Sequence, residues 1–273
     1  MPILKLRSFG PAVTALQNAL QAQGFDPGAN DGEFGPATEA AVKAFQTSKN
    51  LTADGIAGPD TLHALGLDAA PEPAAPAPIP FDLANITPQF VAGIFPAETP
   101  LVNIETHLPH IKDALQNNAL ADKVLVLVAL GAIRAETAGF KPIDEFKSRF
   151  NTDEPDGEPF GLYDNLKRLG NGPAPDGVNF KGRGFVQLTG RYNYMRYSQE
   201  LGLGTQLLEQ PELANDPELA AKILAQFLKD QEDAIRVAVA NNDLATARKL
   251  VNGGSHGLSD FEDTFTRGNA LLA

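Results

Sequence analysis

The chain of 273 residues contains no cysteine, which excludes disulfide staples, thiolate nucleophiles and cysteine metal ligands. Positive charge is also short: 22 Lys and Arg face 34 Asp and Glu, for a formal net charge of −12. A nucleic-acid binder needs a basic footprint, and any polyanionic partner would have to be met by a local patch. Histidine is scarce, with only His63, His107, His110 and His256. No HExxH occurs, and although His107 and His110 could share a helical face, no third ligand accompanies them. Long apolar runs are missing as well. The most apolar stretch, "VLVLVALGAI" at 124–133, is too short to cross a bilayer and predicts a buried helix. The opening "MPILKLRSFG" has neither a long apolar region nor a small-residue cleavage site, so no signal peptide is expected. These absences predict a soluble monomer that needs no cofactor or metal, binds no nucleic acid and inserts into no membrane.

What is present is ordinary globular material, with 43% hydrophobic and 21% charged residues, enough for a real core. Organisation shows first as an interruption. Residues 69–80 read "AAPEPAAPAPIP", with five prolines in twelve positions. Proline locks φ and removes a donor, so an extended spacer is expected, reaching roughly 35 Å at about 3.1 Å per residue. Three segments follow: a module over 1–68, the linker at 69–80, and a larger domain over 81–273.

The first module contains an echo. "DGEFGPAT" at 31–38 and "DGIAGPDT" at 54–61 share Asp-Gly-x-x-Gly-Pro-x-Thr, twenty-three residues apart. Asp-Gly makes a tight turn, and Pro36 and Pro59 sit where helices begin. Val13, Leu16 and Leu20, and then Val42 and Phe45, fall on helical spacing. Three short helices are predicted, two of them reached through similar turns. With "AVKAFQ" at 41–46 in place, the whole module resembles the peptidoglycan-binding domain found beside many cell-wall hydrolases. That resemblance implies wall binding without catalysis, with Asp31, Phe34 and Asp54 of the echoed turns as candidate contact residues.

The larger domain reads as mainly α. "ADKVLVLVALGAIRAETAGF" at 121–140 is a helix that Gly139 ends and Pro142 bars from continuing. "NDPELAAKILAQFLKDQEDAIRVAVA" begins with Asp216 as N-cap and Pro217 at the first helical position. "DLATARKLV" and "DFEDTFTRGNALL" supply further helices. Residues 141–180 are rich in Gly, Pro, Asp and Asn and predict a long irregular lobe of the kind that carries function.

Glu136 stands out because it leaves a buried helix at its C-terminal end. Burial and the negative end of the helix dipole both disfavour a carboxylate there, and a raised pKa suits a general acid. A surface glutamate paired with Arg134 or Lys141 is the plainer alternative. The surrounding motifs decide for chemistry. "RAETAGF", "KGRGFVQLTGRYNY" at 181–194 and "VNGG" at 251–254 resemble, in that order, the motifs of glycoside hydrolase family 19. The likeness runs over most of residues 125 to 255, and its GRGxxQLTGRxNY run is the specific part.

That resemblance implies a helical, two-lobed, lysozyme-like fold and the following roles. Glu136 is the acid and Thr189 holds the attacking water. Gly182 and Gly184 let the backbone approach the saccharide. An alternating segment turns Gln187 and Thr189 toward a cleft, where Gln187 and Asn193 grip sugar groups and Tyr192 offers a ring face. Arg183 and Arg191 brace acidic groups, and Asn252 contacts sugar from the opposite side. Glycoside hydrolysis needs a second carboxylate. Glu145 matches the spacing of the bacterial and phage branch, Glu158 the plant-type position, and Asp144 is a third candidate. Nine residues of continuous helix would set Glu136 and Glu145 on opposite faces, so a break at Gly139 and Pro142 is required. Phage members often carry a small hydroxyl residue where this chain has Lys147, with Ser148 beside it.

The expected activity is cleavage of the β-1,4-linked glycan of bacterial peptidoglycan, of the N-acetylmuramidase or lysozyme type. Chitinase action on linked N-acetylglucosamine, a zinc amidase or peptidase, and an inactivated wall binder are the rivals. The attached module favours peptidoglycan. Without a signal peptide, a phage endolysin reaching the wall through membrane holes is the first expectation, and a bacterial effector the second.

Overall fold

The computed structural model describes residues 3–6, 8, 10–67, 76, 81–137, 139–153, 157–252 and 256–272, with backbone alone at Pro11 and Asn252. The chain divides into two compact units, Met1–Ala75 and Pro76–Ala273. The expected spacer at 69–80 lies outside the described residues, Pro76 excepted.

The first unit contains helices α1 (Pro11–Ala22), α2 (Pro36–Ser48) and α3 (Pro59–Ala64). Each opens with proline after a glycine, Gly10, Gly35 or Gly58, and none has a side-chain cap. The two echoed turns thus have a third counterpart at Gly10–Pro11. A buried glutamine holds each echoed turn. Gln17 on α1 donates through Nε2 to Asp31 Oδ1, the Glu33 carbonyl and Thr38 Oγ1, and its Oε1 accepts from Gly32 N. Gln46 on α2 repeats the pattern with Asp54, Ile56, Thr61 and Gly55. One side chain thereby links four backbone and side-chain groups of its turn.

This geometry corrects part of the sequence reading. Phe34 is fully buried among Val13, Leu16, Leu20, Val42 and Phe45, so it is a core residue and not a wall contact. Asp31 and Asp54 are exposed, yet the Oδ1 of each also accepts the backbone N–H two residues on, at 2.9 Å. Their first role is to hold the turns.

The second unit is mostly helical: α4 (Pro88–Ile94), α5 (Leu101–Asn117), α6 (Lys123–Thr137), α7 (Asp176–Asn179), α8 (Arg191–Glu200), α9 (Gln206–Glu209), α10 (Pro217–Asp230), α11 (Glu232–Ala240), α12 (Leu244–Asn252) and α13 (Leu258–Leu271). Its strands are two residues each, β1 (Ile143–Asp144) and β2 (Arg183–Gly184), paired antiparallel. Helix α6 is buried continuously from Leu125 to Ile133, because α10, α11, α12 and α13 all pack on it. Close approach to α13 needs glycine on both helices. A Cβ at Gly131 would lie 2.8 Å from the Phe261 ring, and one at Gly268 would strike Leu127. Among the described residues, no helix is long and apolar enough to cross a membrane.

Asp216 caps α10 by accepting from Leu219 N at 2.9 Å, with Pro217 at its first position. The following stretch is two helices, interrupted at buried Gln231 between α10 and α11. The region 141–180 is less irregular than its composition predicts, since it contains β1, α7 and 3-10 turns at Gly161–Tyr163 and Lys167–Leu169.

Candidate active site

Helix α6 ends at Thr137, leaving Glu136 in its last turn. The chain then turns sharply. Phe140 adopts φ 54° and packs edge-on to Phe95 at 5.1 Å and near Phe185 at 6.5 Å, while Asn103 Nδ2 donates to the Gly139 carbonyl. Phe185 belongs to the GRG-containing hairpin. The same aromatic cluster therefore ties the end of α6 to that hairpin, and the pairing of Ile143 with Gly184 and Asp144 with Arg183 completes the join. The required helix break is present, and Glu145 follows β1 in a non-helical segment.

Glu136 forms an ion pair with Arg248 of α12, which is fully buried and also donates to the His256 carbonyl at 2.8 Å. The plainer reading named Arg134 or Lys141 as partner. Arg134 instead reaches Asp260 and Asp263 of α13 and the Ile94 carbonyl. A charge-assisted bond to a buried guanidinium fixes where the Glu136 carboxyl points.

Glu145 is held differently, by neutral donors. Asn151 Nδ2 and Tyr163 Oη donate to its Oε1 at 2.9 and 2.8 Å, and Gly182 N donates to its Oε2 at 3.0 Å. Burial pushes the Tyr163 phenol well above its ordinary value, and the adjacent carboxylate adds to the effect, so Tyr163 stays a donor. Glycine at 182 leaves room for this carboxylate and for Gln187, since a Cβ there would lie 3.1 Å from Oε2 and 2.8 Å from Gln187 Oε1. Gly184, at φ 81°, faces the Ala214 carbonyl, which a Cβ would approach to 2.8 Å. Both glycines thus serve contacts within the protein, where the family resemblance implied approach to a saccharide.

The alternating segment is a tight hairpin closed by Arg183 and Leu188, with Gln187 in the left-handed region at φ 51°. Burial still alternates from Val186 to Gly190. Gln187 donates its amide to the Ile143 and Gly184 carbonyls, so its N–H groups pin the hairpin to β1. Thr189 Oγ1 donates to the Gln187 carbonyl, and Asn193 Nδ2 donates to the Thr189 carbonyl. Tyr192 is half-buried and packs over Gly170, whose φ of 69° no larger residue would readily adopt.

The remaining candidates sort by their charges. Arg183 is buried and engaged by the Asn179 carbonyl, Tyr194 Oη and Asp144, which leaves it bracing the protein and not a substrate. Asp144 also accepts from Lys181 and Asn215 at 2.6 Å. Burial alone would raise its pKa, but these bonds and the charges of Arg183 and Lys181 prevail and hold it below the ordinary carboxylate value. Glu158 is exposed. Asn252 ends α12 one turn after Arg248, with its side chain outside the described residues, as are Gly253 and Gly254 of "VNGG". Asn151, Tyr163 and Arg248 were absent from the sequence reading. No local pattern marks them, because their partners lie 6, 18 and 112 residues away.

Arg191 makes a two-pronged pair with Asp176, through Nε at 2.7 Å and Nη2 at 3.0 Å, and lies over the Phe180 ring. The bond from Arg191 is the main reason that the Asp176 carboxyl sits below its ordinary value of 3.8. A carboxyl depressed on folding stabilises above its unfolded pKa, and this is lost as pH falls through the folded value. Near neutrality, Asp176→Asn should therefore melt below the parent. That gap should shrink once the pH drops below 3.8 and then close. A gap in thermal midpoint that stays constant into strong acid would assign the effect to packing instead of charge.

Among the described residues, no group of three or more His, Cys, Asp and Glu is placed to hold a metal ion. Residues 9–65 match the family model of a peptidoglycan binding domain. The chain is 30% identical over 95 residues to a glycosyl hydrolase family 19 domain-containing protein of Haemophilus influenzae, covering 34% of this chain and 44% of that one. It is 51% identical over 61 residues to the zinc D-Ala-D-Ala carboxypeptidase of Streptomyces albus G, covering 20% and 23%. The chain thus spans less than half the length of these two curated relatives. The crystal structure of Burkholderia AP3 phage endolysin aligns over 98% of this chain and 100% of that one, at 20% identity and a TM-score of 0.25, a score too low to bear on the fold. The chain is therefore modular: its first unit matches the model of a peptidoglycan-binding domain, and its second is a mostly helical unit in a chain with partial similarity to a glycosyl hydrolase family 19 domain-containing protein.

Proposed function

We propose that this protein is a peptidoglycan-degrading glycosidase of the N-acetylmuramidase type. The observation that carries the reading is the pair of differently held carboxyls, Glu136 against Arg248 and Glu145 against Gly182, in a chain that also bears a peptidoglycan-binding domain. Glycoside hydrolysis calls for two carboxyls in unlike surroundings. Glu136 gives its proton to the leaving oxygen, and the Arg248 guanidinium stabilises the carboxylate that forms. Glu145 accepts a proton from water, its orientation fixed by three donors. The Thr189 hydroxyl hydrogen is engaged by the Gln187 carbonyl, so its oxygen lone pairs face any water as acceptors. A water donating one hydrogen to Thr189 and the other to Glu145 keeps a lone pair for the anomeric carbon. Asp31 and Asp54 remain candidate wall contacts through their exposed carboxylates. Tyr192, Asn193 and Asn252 remain candidate sugar contacts. The setting that fits is a phage endolysin that reaches the wall through membrane holes.

Digestion of purified sacculi should create new reducing ends without new free amino groups. Mass spectrometry of the muropeptides should show N-acetylmuramic acid at those ends. Release of amines or peptides would instead assign amidase or peptidase action.

A further inference from the structure

Immediately after Glu145 comes "FKSRF" at 146–150. Phe146 and Phe150 are 76% and 74% exposed, and Lys147 and Arg149 are exposed as well. Two large rings in water within five residues require an explanation, because burying either would be favourable. Looseness does not supply one, since the loop backbone is tightly pinned. Fully buried Asn151 donates to the Phe146 carbonyl and to Glu145 Oε1, and its own Oδ1 accepts from Ser148 N. Ser148 Oγ accepts from Phe150 N, and its carbonyl accepts from Thr152 N at 2.9 Å. Ser148 is thus a loop brace. The Arg149 guanidinium lies 4.9 Å from the Phe150 ring centroid, which orients the cation. Half-exposed Leu162 donates its N–H to the Asn151 carbonyl, which pins the end of the loop.

A rigid platform of two cations and two rings therefore adjoins the second candidate carboxyl, in a chain of net charge −12. Like charge elsewhere on the protein would repel an acidic ligand, so a local cationic pair is what such a ligand needs. The N-acetylated glycan is uncharged along its β-1,4 backbone. The peptide stems on alternate sugars of peptidoglycan carry carboxylates. We infer that the 146–150 loop is the specificity element of the proposed glycosidase: Lys147 and Arg149 bind the carboxylates of the peptide stem while Phe146 offers its ring to the sugar beside it. The inference rests on the glycosidase reading of Glu136 and Glu145. It also accounts for lysine where phage relatives often carry a small hydroxyl residue: the position reads the stem, and water is left to Thr189 and Glu145.

The test compares two soluble substrates on the full chain: glycan oligomers with peptide stems intact, and the same oligomers with the stem carboxylates converted to neutral amides. The double variant Lys147→Ala/Arg149→Ala should lose about ten-fold in kcat/KM on the carboxylate-bearing substrate, the size expected of two exposed charge pairs. On the amidated glycan it should match the parent. The charge-preserving Lys147→Arg/Arg149→Lys should retain most of the preference, and Phe146→Ala should lose on both substrates alike. Equal losses of the double alanine variant on both substrates, or none on either, would overturn the inference. So would loss of binding to vesicles rich in anionic phospholipid with an unchanged substrate preference, which would assign the loop to a lipid surface. Titration calorimetry with the same two ligands reads the carboxylate preference independently of turnover. If the parent cleaves neither substrate, the glycosidase reading fails, while a carboxylate-dependent affinity lost in the double variant still supports the loop's role.

Discussion

Glu136→Gln should lower turnover on peptidoglycan by about 10²–10⁴-fold, the usual worth of a positioned general acid, while folding and sacculus binding stay intact. The amide keeps the shape of the side chain and an acceptor oxygen for Arg248, but it has no acidic proton to give. Wall binding should persist because the peptidoglycan-binding domain is a separate compact unit. Glu145→Gln should cost less, since an amide oxygen can still accept from Gly182, Asn151 or Tyr163 and position the water weakly. A water set between acid and base implies carboxyls roughly 6.5–9.5 Å apart and inversion at the anomeric carbon. Proton NMR of the first-formed product checks the stereochemistry. Retention would remove the single-displacement mechanism, and parent-like turnover of Glu136→Gln would remove the acid assignment. A larger loss at exposed Glu158 than at Glu145 would move the second carboxylate to the plant-type position.

The second large effect is on stability. Arg236 of α11 and Asp122, just before α6, form a pair buried on both sides at 2.6 Å. Asp122 also caps α6, accepting from Val124 N and Leu125 N through its other oxygen. This one carboxylate thus starts the helix that carries Glu136 in its last turn and ties it to α11. Arg236→Met keeps most of the packing volume but strands a buried carboxylate, which typically costs about 3–5 kcal/mol. For a unit of this size the thermal midpoint should fall by on the order of 10 °C. Adding Asp122→Leu should recover part of that loss, because no uncompensated charge remains, though the cap is still missing. A midpoint within a degree or two of the parent would show that water reaches the pair and screens it.

The first unit was legible because its signals are local. Two Asp-Gly turns leading into proline-started helices declare themselves within eight residues each, and backbone preferences at Gly and Pro are intrinsic to those residues. The burial of α6, its termination and the Asp216 cap were readable for the same reason. Apolar pattern and cap chemistry act within one or two turns of a helix. The motif set of the second unit likewise singles out Glu136 and Glu145 as candidates from the sequence.

Roles that depend on partners distant in the chain were decided by tertiary packing alone. Phe34 looks like any turn aromatic in the sequence, yet the Gln17 clamp folds its turn inward and buries it. Gly182 and Gly184 signal close approach, but the sequence does not say to what. The structure answers with the Glu145 carboxylate and the Ala214 carbonyl. The alternating segment after Gly184 is expected to turn Gln187 toward a cleft, whereas Gln187 closes a hairpin at positive φ and its amide finds the Ile143 and Gly184 carbonyls. Arg248 reaches Glu136 only because α12 packs on α6, across 112 residues of chain. A sequence specifies which residues can ionise, turn or bury. Which buried charge meets which is settled when the helices pack, because each arriving guanidinium or carboxylate must find a partner within hydrogen-bonding reach or remain a costly unpaired charge.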